Sequence, residues 1–283
     1  RVLSNALFRA YFFNKYIRSM KPRLLIGCTA FSYGFYSAFS KYKPFMLFIW
    51  GSDVLVYPKY LPFRFLAKYA IKEADTIVLD SEVQKRAAIR LGADPNRIIK
   101  FPWVDLEMFY KDKSSRNEIR DKLGWRDNVV VVSTRWLEPR YGVESLINAV
   151  PKIVKKAENV RFLIIGDGKL NRPLKIRIKK LKVEKFVKFL GRVEHETIPN
   201  HLKAADIYVS TSFSDGSSAS LLEAMACKLP PVVTTIPGNQ EWVSKNENGM
   251  LFTPGNSEEL ANYIISLARN QELREKLGEN AYL

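Results

Sequence analysis

A chain of 283 residues with 47% hydrophobic and 12% aromatic side chains has the apolar content for two α/β cores and is not a disordered segment. No apolar run reaches the ~18 residues that a spanning helix needs. The formal net charge of +16 calls for an anionic partner; nucleic acid, an acidic membrane surface and a phosphorylated substrate all qualify.

Apolar runs and turn residues alternate along the first half. Leu7 to Met20 reads as an amphipathic, aromatic helix, followed by a strand at Arg23 to Gly27 and a stretch of small residues. Pro44 to Trp50, the longest apolar run, is strand-sized and ends in the turn Gly51-Ser52-Asp53. A helix over Pro62 to Ala74 leads into the strand Thr76 to Leu79, and Ser81 is placed to cap a helix over Glu82 to Leu91. A last strand, Ile98 to Phe101, ends at Pro102-Trp103. Repeated βα units with apolar strands predict a parallel sheet covered on both faces.

Lys111 to Asn128 is charged and lacks strand character, which places a linker at 111–127 between domains 1–110 and 128–283. The second series begins with a strand at Asn128 to Ser133 and a helix at Val143 to Ala157. A strand at Val160 to Ile165, a basic helix, and strands at Val187 to Leu190 and Ala205 to Ser210 follow. Beyond the strand Pro231 to Thr235, one terminal helix starts at Ser257. The fold class is therefore α/β, with two Rossmann-like, doubly wound parallel-sheet domains and ligands expected in a cleft at the strand C-termini. Much of the excess charge lies in Lys169 to Lys188, either a solvated lysine-rich face or an anion-binding surface.

The stretch Ser214 to Ala226 carries the most chemistry. Strand, Gly/Ser loop and helix start make an anion site, because first-turn N–H groups lack intrahelical partners and the helix dipole favours negative charge. Asp215 and Glu223 would then reach hydroxyls on either side of a bound phosphate. The plainer alternative is an N-capped helix with surface acids. Arg135 and Arg140 follow a strand and would neutralise a departing diphosphate, or else are solvated loop residues. Gly166-Asp167-Gly168 would let backbone approach a phosphate, although a tight strand-to-helix turn is the simpler reading. Arg192 and Val193 lie in a polar loop where a nucleobase would rest on backbone groups. His195 in the same loop and His201 read as ordinary residues. Trp50, Ser52 and Asp53 end a strand of the first half; Asp53 either caps the next segment or contacts a transferred sugar. Cys28 and Cys227 are far apart, which favours a reducing compartment. No metal-ligand cluster, Asp-x-Asp motif or nucleophile triad is apparent.

Taken in order, STRWLEPRYGVE, IIGDG, FLGRVEH, DGSSASLLEAMA, PPVVTTIPGNQEWV and NGMLFTPGN resemble retaining glycosyltransferases of family 4, which have the two-Rossmann-domain GT-B architecture. FIWGSD, ADTIVLDSE and IIKFPWVDLEMF look similar to that family's acceptor-side domain. The resemblance implies that Asp215 and Glu223 stand for the family's Glu-x7-Glu pair. Asp215, with Gly216, Ser217 and Ser218, would contact the transferred sugar, and Glu223, beside Leu222, would hold the nucleotide ribose. Arg135 matches the phosphate-binding arginine. The usual lysine is replaced by Tyr141, with Arg140 positioned to supply the charge, and the acceptor-side histidine is replaced by Trp50. The resemblance also implies that the family's first strand precedes Arg1 and its crossing helix follows Leu283, leaving the N-terminal domain incomplete.

The expected activity is a hexosyltransferase reaction from a nucleotide-diphosphate sugar to a glycan, lipid-linked or small-molecule hydroxyl, with retention and without a metal or other cofactor. Arg135, Arg140 and Asp215 are the catalytic candidates. The expected location is cytoplasmic, with an anionic membrane face as a further partner and no role for nucleic acid. The alternatives are a sugar-nucleotide 2-epimerase of the same architecture and a non-catalytic binder of an anionic surface.

Overall fold

The computed structural model describes residues 2–109 and 114–282. It divides into two α/β units, one of Arg1–Trp103 with Asp215–Ser217 and one of Val104–Ser214 with Ser218–Leu283.

In the first unit the elements run α1 (Val2–Met20), β1 (Leu25–Cys28), α2 (Gly34–Phe39), β2 (Phe45–Phe48), α3 (Ser52–Leu55), α4 (Leu61–Glu73), β3 (Thr76–Leu79), α5 (Glu82–Arg90) and β4 (Ile98–Lys100). The four strands are parallel and lie in chain order. Leu47, Ile77 and Leu79 are buried against Ala67, Ala70 and Ile71 of α4, whose small residues let the helix lie close to the sheet. Ser81 caps α5, its Oγ accepting from the Gln84 amide at 3.3 Å. Cover on both faces, expected from the apolar strands, is incomplete here. Ile26 and Ile99 are about half exposed, because both sit on the edge strands β1 and β4.

The second unit contains α6 (Leu106–Phe109), α7 (Ser114–Leu123), β5 (Val129–Ser133), α8 (Val143–Lys156), β6 (Val160–Ile165), α9 (Asn171–Lys180), β7 (Val187–Gly191), α10 (Ile198–Ala204) and β8 (Ile207–Ser210). It continues through α11 (Ala219–Ala226), β9 (Pro231–Thr234), α12 (Pro237–Gln240), β10 (Met250–Phe252), α13 (Ser257–Arg269) and α14 (Gln271–Ala281). Its six parallel strands are ordered β10-β9-β8-β5-β6-β7. The chain winds outward from β5 to β7, then returns to β8 on the other side, so its winding reverses between β5 and β8. Along β5, side chains alternate between two cores. Val129 and Val131 join Leu146 of α8 and Leu260 of α13, whereas Val130 and Val132 join Leu221, Leu222 and Met225 of α11.

Two expectations change. The span 111–127, expected as a linker, contains α7, although residues 110–113 lie outside the described residues. Arg116 of α7 donates to Asp206 at 2.5 Å, and Arg120 also donates to Asp206 and, at 2.8 Å, to the Ala204 carbonyl. Burial would raise the Asp206 carboxyl, but the two guanidinium charges outweigh it and hold the group below its usual range. Charges that resembled a solvated tether thus anchor a helix to the second unit. The terminal helix expected from Ser257 is two helices. Asn270 breaks the run in an extended conformation and caps α14, its side chain accepting from the Leu273 amide at 2.9 Å. Among the described residues, no helix is long and apolar enough to cross a membrane.

Candidate functional site

The reversal between β5 and β8 brings the loops after these two strands together in the second unit, the usual ligand position in doubly wound sheets. Arg135, two residues past β5, is 8% exposed. Its Nη1 donates to Ser218 Oγ at 2.5 Å and to Ser220 Oγ at 2.8 Å. Tyr208 on β8 is fully buried, with its hydroxyl 2.8 Å from Ser220 Oγ; burial raises its phenol above the ordinary range. Strand pairing therefore fixes the guanidinium against the start of α11. Ser218 is the N-cap of α11 yet makes no side-chain cap hydrogen bond, since its hydroxyl faces Arg135.

Tyr141 occupies the position where the resemblance leads one to expect a lysine. Its ring lies under two cations, with Arg135 Cζ 4.3 Å and Arg140 Cζ 4.6 Å from the centroid. Arg140 also donates to the Tyr141 hydroxyl at 2.6 Å. The aromatic face thus gathers the two arginines that the sequence singles out. The turn that carries them is tied to the loop after β8: Thr211 Oγ1 donates to the Tyr141 carbonyl at 2.8 Å, and the Phe213 amide to the Arg140 carbonyl at 2.8 Å. Gly142 makes this approach feasible. Its φ is +58°, and a Cβ there would stand 2.4 Å from the Thr211 carbonyl oxygen.

Glu223, one turn into α11, is also 8% exposed. Burial pushes its carboxyl above the usual range, while His195 and the Arg135 charge pull it partly back. His195 Nε2 is 3.3 Å from Glu223 Oε1, and its ring meets Phe109 edge-on at 5.9 Å between centroids. His195, read from sequence as an ordinary loop residue, is thus brought to the acid. No local signal could show this, because the two are 28 positions apart.

Other residues singled out in this unit take different places. Leu222 is fully buried in the α11 core, so its side chain serves packing and is not open to a ligand. Gly166, with φ +132°, lies against Arg135, and a Cβ would stand 2.3 Å from the Arg135 carbonyl oxygen. Gly168 lies similarly against Leu137. The two glycines therefore seat the Arg135 loop on β6, in keeping with the tight-turn reading. Arg192 is exposed and Val193 half-buried, the latter packed against the α11 core. Trp136 and Phe213, about half exposed, stand on the same two loops; the sequence reading passed over them.

Asp215, Gly216 and Ser217 group with the first unit. There the Ser217 amide donates to Asp80 Oδ1 at 3.0 Å and the Ser217 hydroxyl to the Asp80 carbonyl at 2.7 Å. Gln84 Oε1 accepts from the Asp80 amide at 3.0 Å. Burial, aided by the nearby Asp215 charge, raises the Asp80 carboxyl to about 6 against the hydrogen bonds it accepts. Asp53 is fully buried, and both its oxygens accept backbone amides, from Ala30 at 2.9 Å and Trp50 at 3.1 Å. Asp53 therefore does not cap the following segment, since the N-cap of α3 is Gly51, without a side-chain cap bond; its buried side chain instead braces the backbone at Ala30 and Trp50. Ser52 opens α3 and is half-buried. Trp50 is exposed and stacks on Trp103 at 5.9 Å.

The known proteins that this chain is similar to include glycosyltransferases. Residues 115–283 match the family described as glycosyl transferases group 1, and residues 4–81 match glycosyl transferase 4-like proteins. An uncharacterized glycosyltransferase of Methanocaldococcus jannaschii is 29% identical over 89% of this chain and 67% of its own length. The alpha-monoglucosyldiacylglycerol synthase of Acholeplasma laidlawii is 28% identical over 68% of the chain and 49% of its own length. The chain spans about half to two thirds of such relatives. Anabaena HepE, crystallised with UDP and glucose, shares the fold with a TM-score of 0.85 at 24% identity, covering 95% of this chain and 75% of HepE.

Proposed function

The chain belongs to the glycosyl transferases group 1 family, and from that premise we propose that it moves a hexosyl group from a nucleoside diphosphate sugar to an acceptor hydroxyl, with retention. The observation that carries this reading is the buried Arg135 guanidinium held by Ser218 and Ser220 at the start of α11. A diphosphate seated there meets preorganised positive charge from Arg135, from Arg140 beside it, and from the helix N-terminus. Glu223 then accepts from ribose hydroxyls. The assignment of Asp215 to the transferred sugar comes from the family resemblance.

In the proposed reaction the bond from the anomeric carbon to the phosphate oxygen breaks as the acceptor oxygen bonds to that carbon on the same face. The acceptor proton passes to the departing phosphate oxygen, giving a glycoside and a nucleoside diphosphate. Negative charge grows on the leaving group, which is where Arg135 lowers the barrier. UDP is the first nucleotide to test, since HepE was crystallised with it. A thermal-shift screen against uridine, guanosine and adenosine diphosphate sugars is expected to show stabilisation by one class, and ~100-fold excess over Kd corresponds to about 2.7 kcal/mol. Glu223→Ala should abolish that response; a wild-type response would defeat the ribose assignment. Conversion of the sugar nucleotide to its epimer without acceptor would favour the 2-epimerase alternative.

A further inference from the structure

We propose that His195 is a positioning residue for the donor nucleotide: it holds one oxygen of the Glu223 carboxylate so that the other is presented to the ribose diol, and the choice of ribose over a sugar without those hydroxyls depends on it. This rests on the donor-site reading, in which Glu223 meets the ribose. Every residue it uses lies in the second unit.

The acid has a fixed root and a movable end. On either side of Glu223, Leu221, Leu222 and Ala224 to Ala226 are fully buried, which locks the backbone of α11 in place. A glutamate side chain still turns about its own torsions, and ordering it at the moment of binding weakens affinity. His195 removes that freedom beforehand. Its Nε2 stands 3.3 Å from Glu223 Oε1, and it is the side chain that hydrogen-bonds this carboxylate. Arg135 attracts the acid by charge, but its Nη1 is engaged by Ser218 and Ser220.

An imidazole suits this task. A guanidinium forks across both oxygens of a carboxylate, whereas an imidazole has a single nitrogen at Nε2 and engages one. The ring is held although its side chain is 58% exposed. Phe109, itself 1% exposed, meets it edge-on. The turn His195–Thr197 follows β7 and is closed by Thr197, whose amide and hydroxyl donate to the Glu194 carbonyl at 3.0 and 2.8 Å. Beyond it, Pro199 and Leu202 anchor α10 in buried surroundings. A histidine beside a solvated acid would be a weak ion pair of little consequence. Glu223 is not solvated, and a hydrogen bond to an oxygen in such surroundings is stronger than one in water.

Isothermal titration of the full chain with the 5′-diphosphates of uridine, guanosine and adenosine, each beside its 2′,3′-dideoxy counterpart, tests this. Wild type is expected to bind one ribonucleotide at least about tenfold more tightly than its dideoxy form, the scale of a hydrogen bond to a charged group. His195→Ala should cut that preference to about threefold or less by weakening the ribonucleotide alone, with the melting temperature unchanged. His195→Gln, whose amide donates from a similar reach, should restore most of it. In a Glu223→Ala background, His195→Ala should have no further effect. The inference is overturned if His195→Ala keeps the wild-type preference, weakens both forms equally, or still lowers affinity when Glu223 is already alanine. If wild type binds none of the three, or binds ribose and dideoxy forms alike, the assignment of Glu223 to the ribose falls first, and the role of His195 with it.

Discussion

The two units are built from the same βα repeat but dispose of their large side chains in opposite ways. The second turns Phe162, Tyr208 and Phe252 fully inward, sandwiches its sheet between two cores, and keeps Arg135 and Glu223 nearly out of solvent. The first leaves Phe8, Tyr11, Phe12 and Phe65 mostly exposed. The second unit's arrangement holds charge where the surroundings are poorly polarisable and electrostatic interactions are strong. The same repeat thus yields two different strand orders, one in chain sequence and one that reverses beside β5, and the reversing sheet brings a buried arginine against a helix start.

The contrast can be broken most forcefully in the core. Phe162→Ala should destabilise the second unit by about 3–5 kcal/mol, seen by chemical denaturation; a cost below 1 kcal/mol would mean the core repacks freely. Next comes the site. Arg135→Ala should lower kcat about 100- to 1000-fold with far-UV circular dichroism unchanged; an undiminished kcat would remove Arg135 from the reaction.

Asp80 gives a slightly smaller effect, readable in pH. Its carboxyl titrates near 6, against 3.8 for the unperturbed group. Between these values the folded chain keeps a proton that the unfolded chain releases, so this group's stabilising contribution is full below pH ~4 and declines as pH rises through about 6. The full swing is about 3 kcal/mol. Asp80→Asn should flatten that part of the stability profile, measured by urea melts from pH 4 to 7; an unchanged slope would assign it to another group. Smallest of all, Phe12→Ser should change stability by no more than about 0.5 kcal/mol, because that ring is solvated; a large loss would mean that α1 relies on it for packing.

Much of the fold was legible because parallel strands buried on both faces read as continuous apolar runs. Val129 to Ser133 and Thr76 to Leu79 emerge almost residue for residue. α7 was missed for the opposite reason: it docks through Arg116 and Arg120 on Asp206, so it shows no apolar stripe. In the site, Arg135, Arg140 and Glu223 were singled out by their positions in motifs. Ser220, Tyr208 and His195 were not, because their importance arises from strand pairing and a crossing loop. Asp53 shows the limit of local reading. A carboxylate after a strand suits a ligand or a cap equally well, and the structure gives it a third place, buried against the Ala30 and Trp50 amides outside the helix it was expected to cap.

The reversal of winding beside β5 separates distance along the chain from distance in space. Arg135 and Ser218 are 83 residues apart, yet adjacency of β5 and β8 sets their spacing. The intervening arm of β6, α9 and β7 is a lateral branch that hangs from one edge of this junction. A change in the length of α9 or of the loop after it therefore leaves the distance across the junction unaltered, whereas a side chain at Gly166 would strike the Arg135 carbonyl.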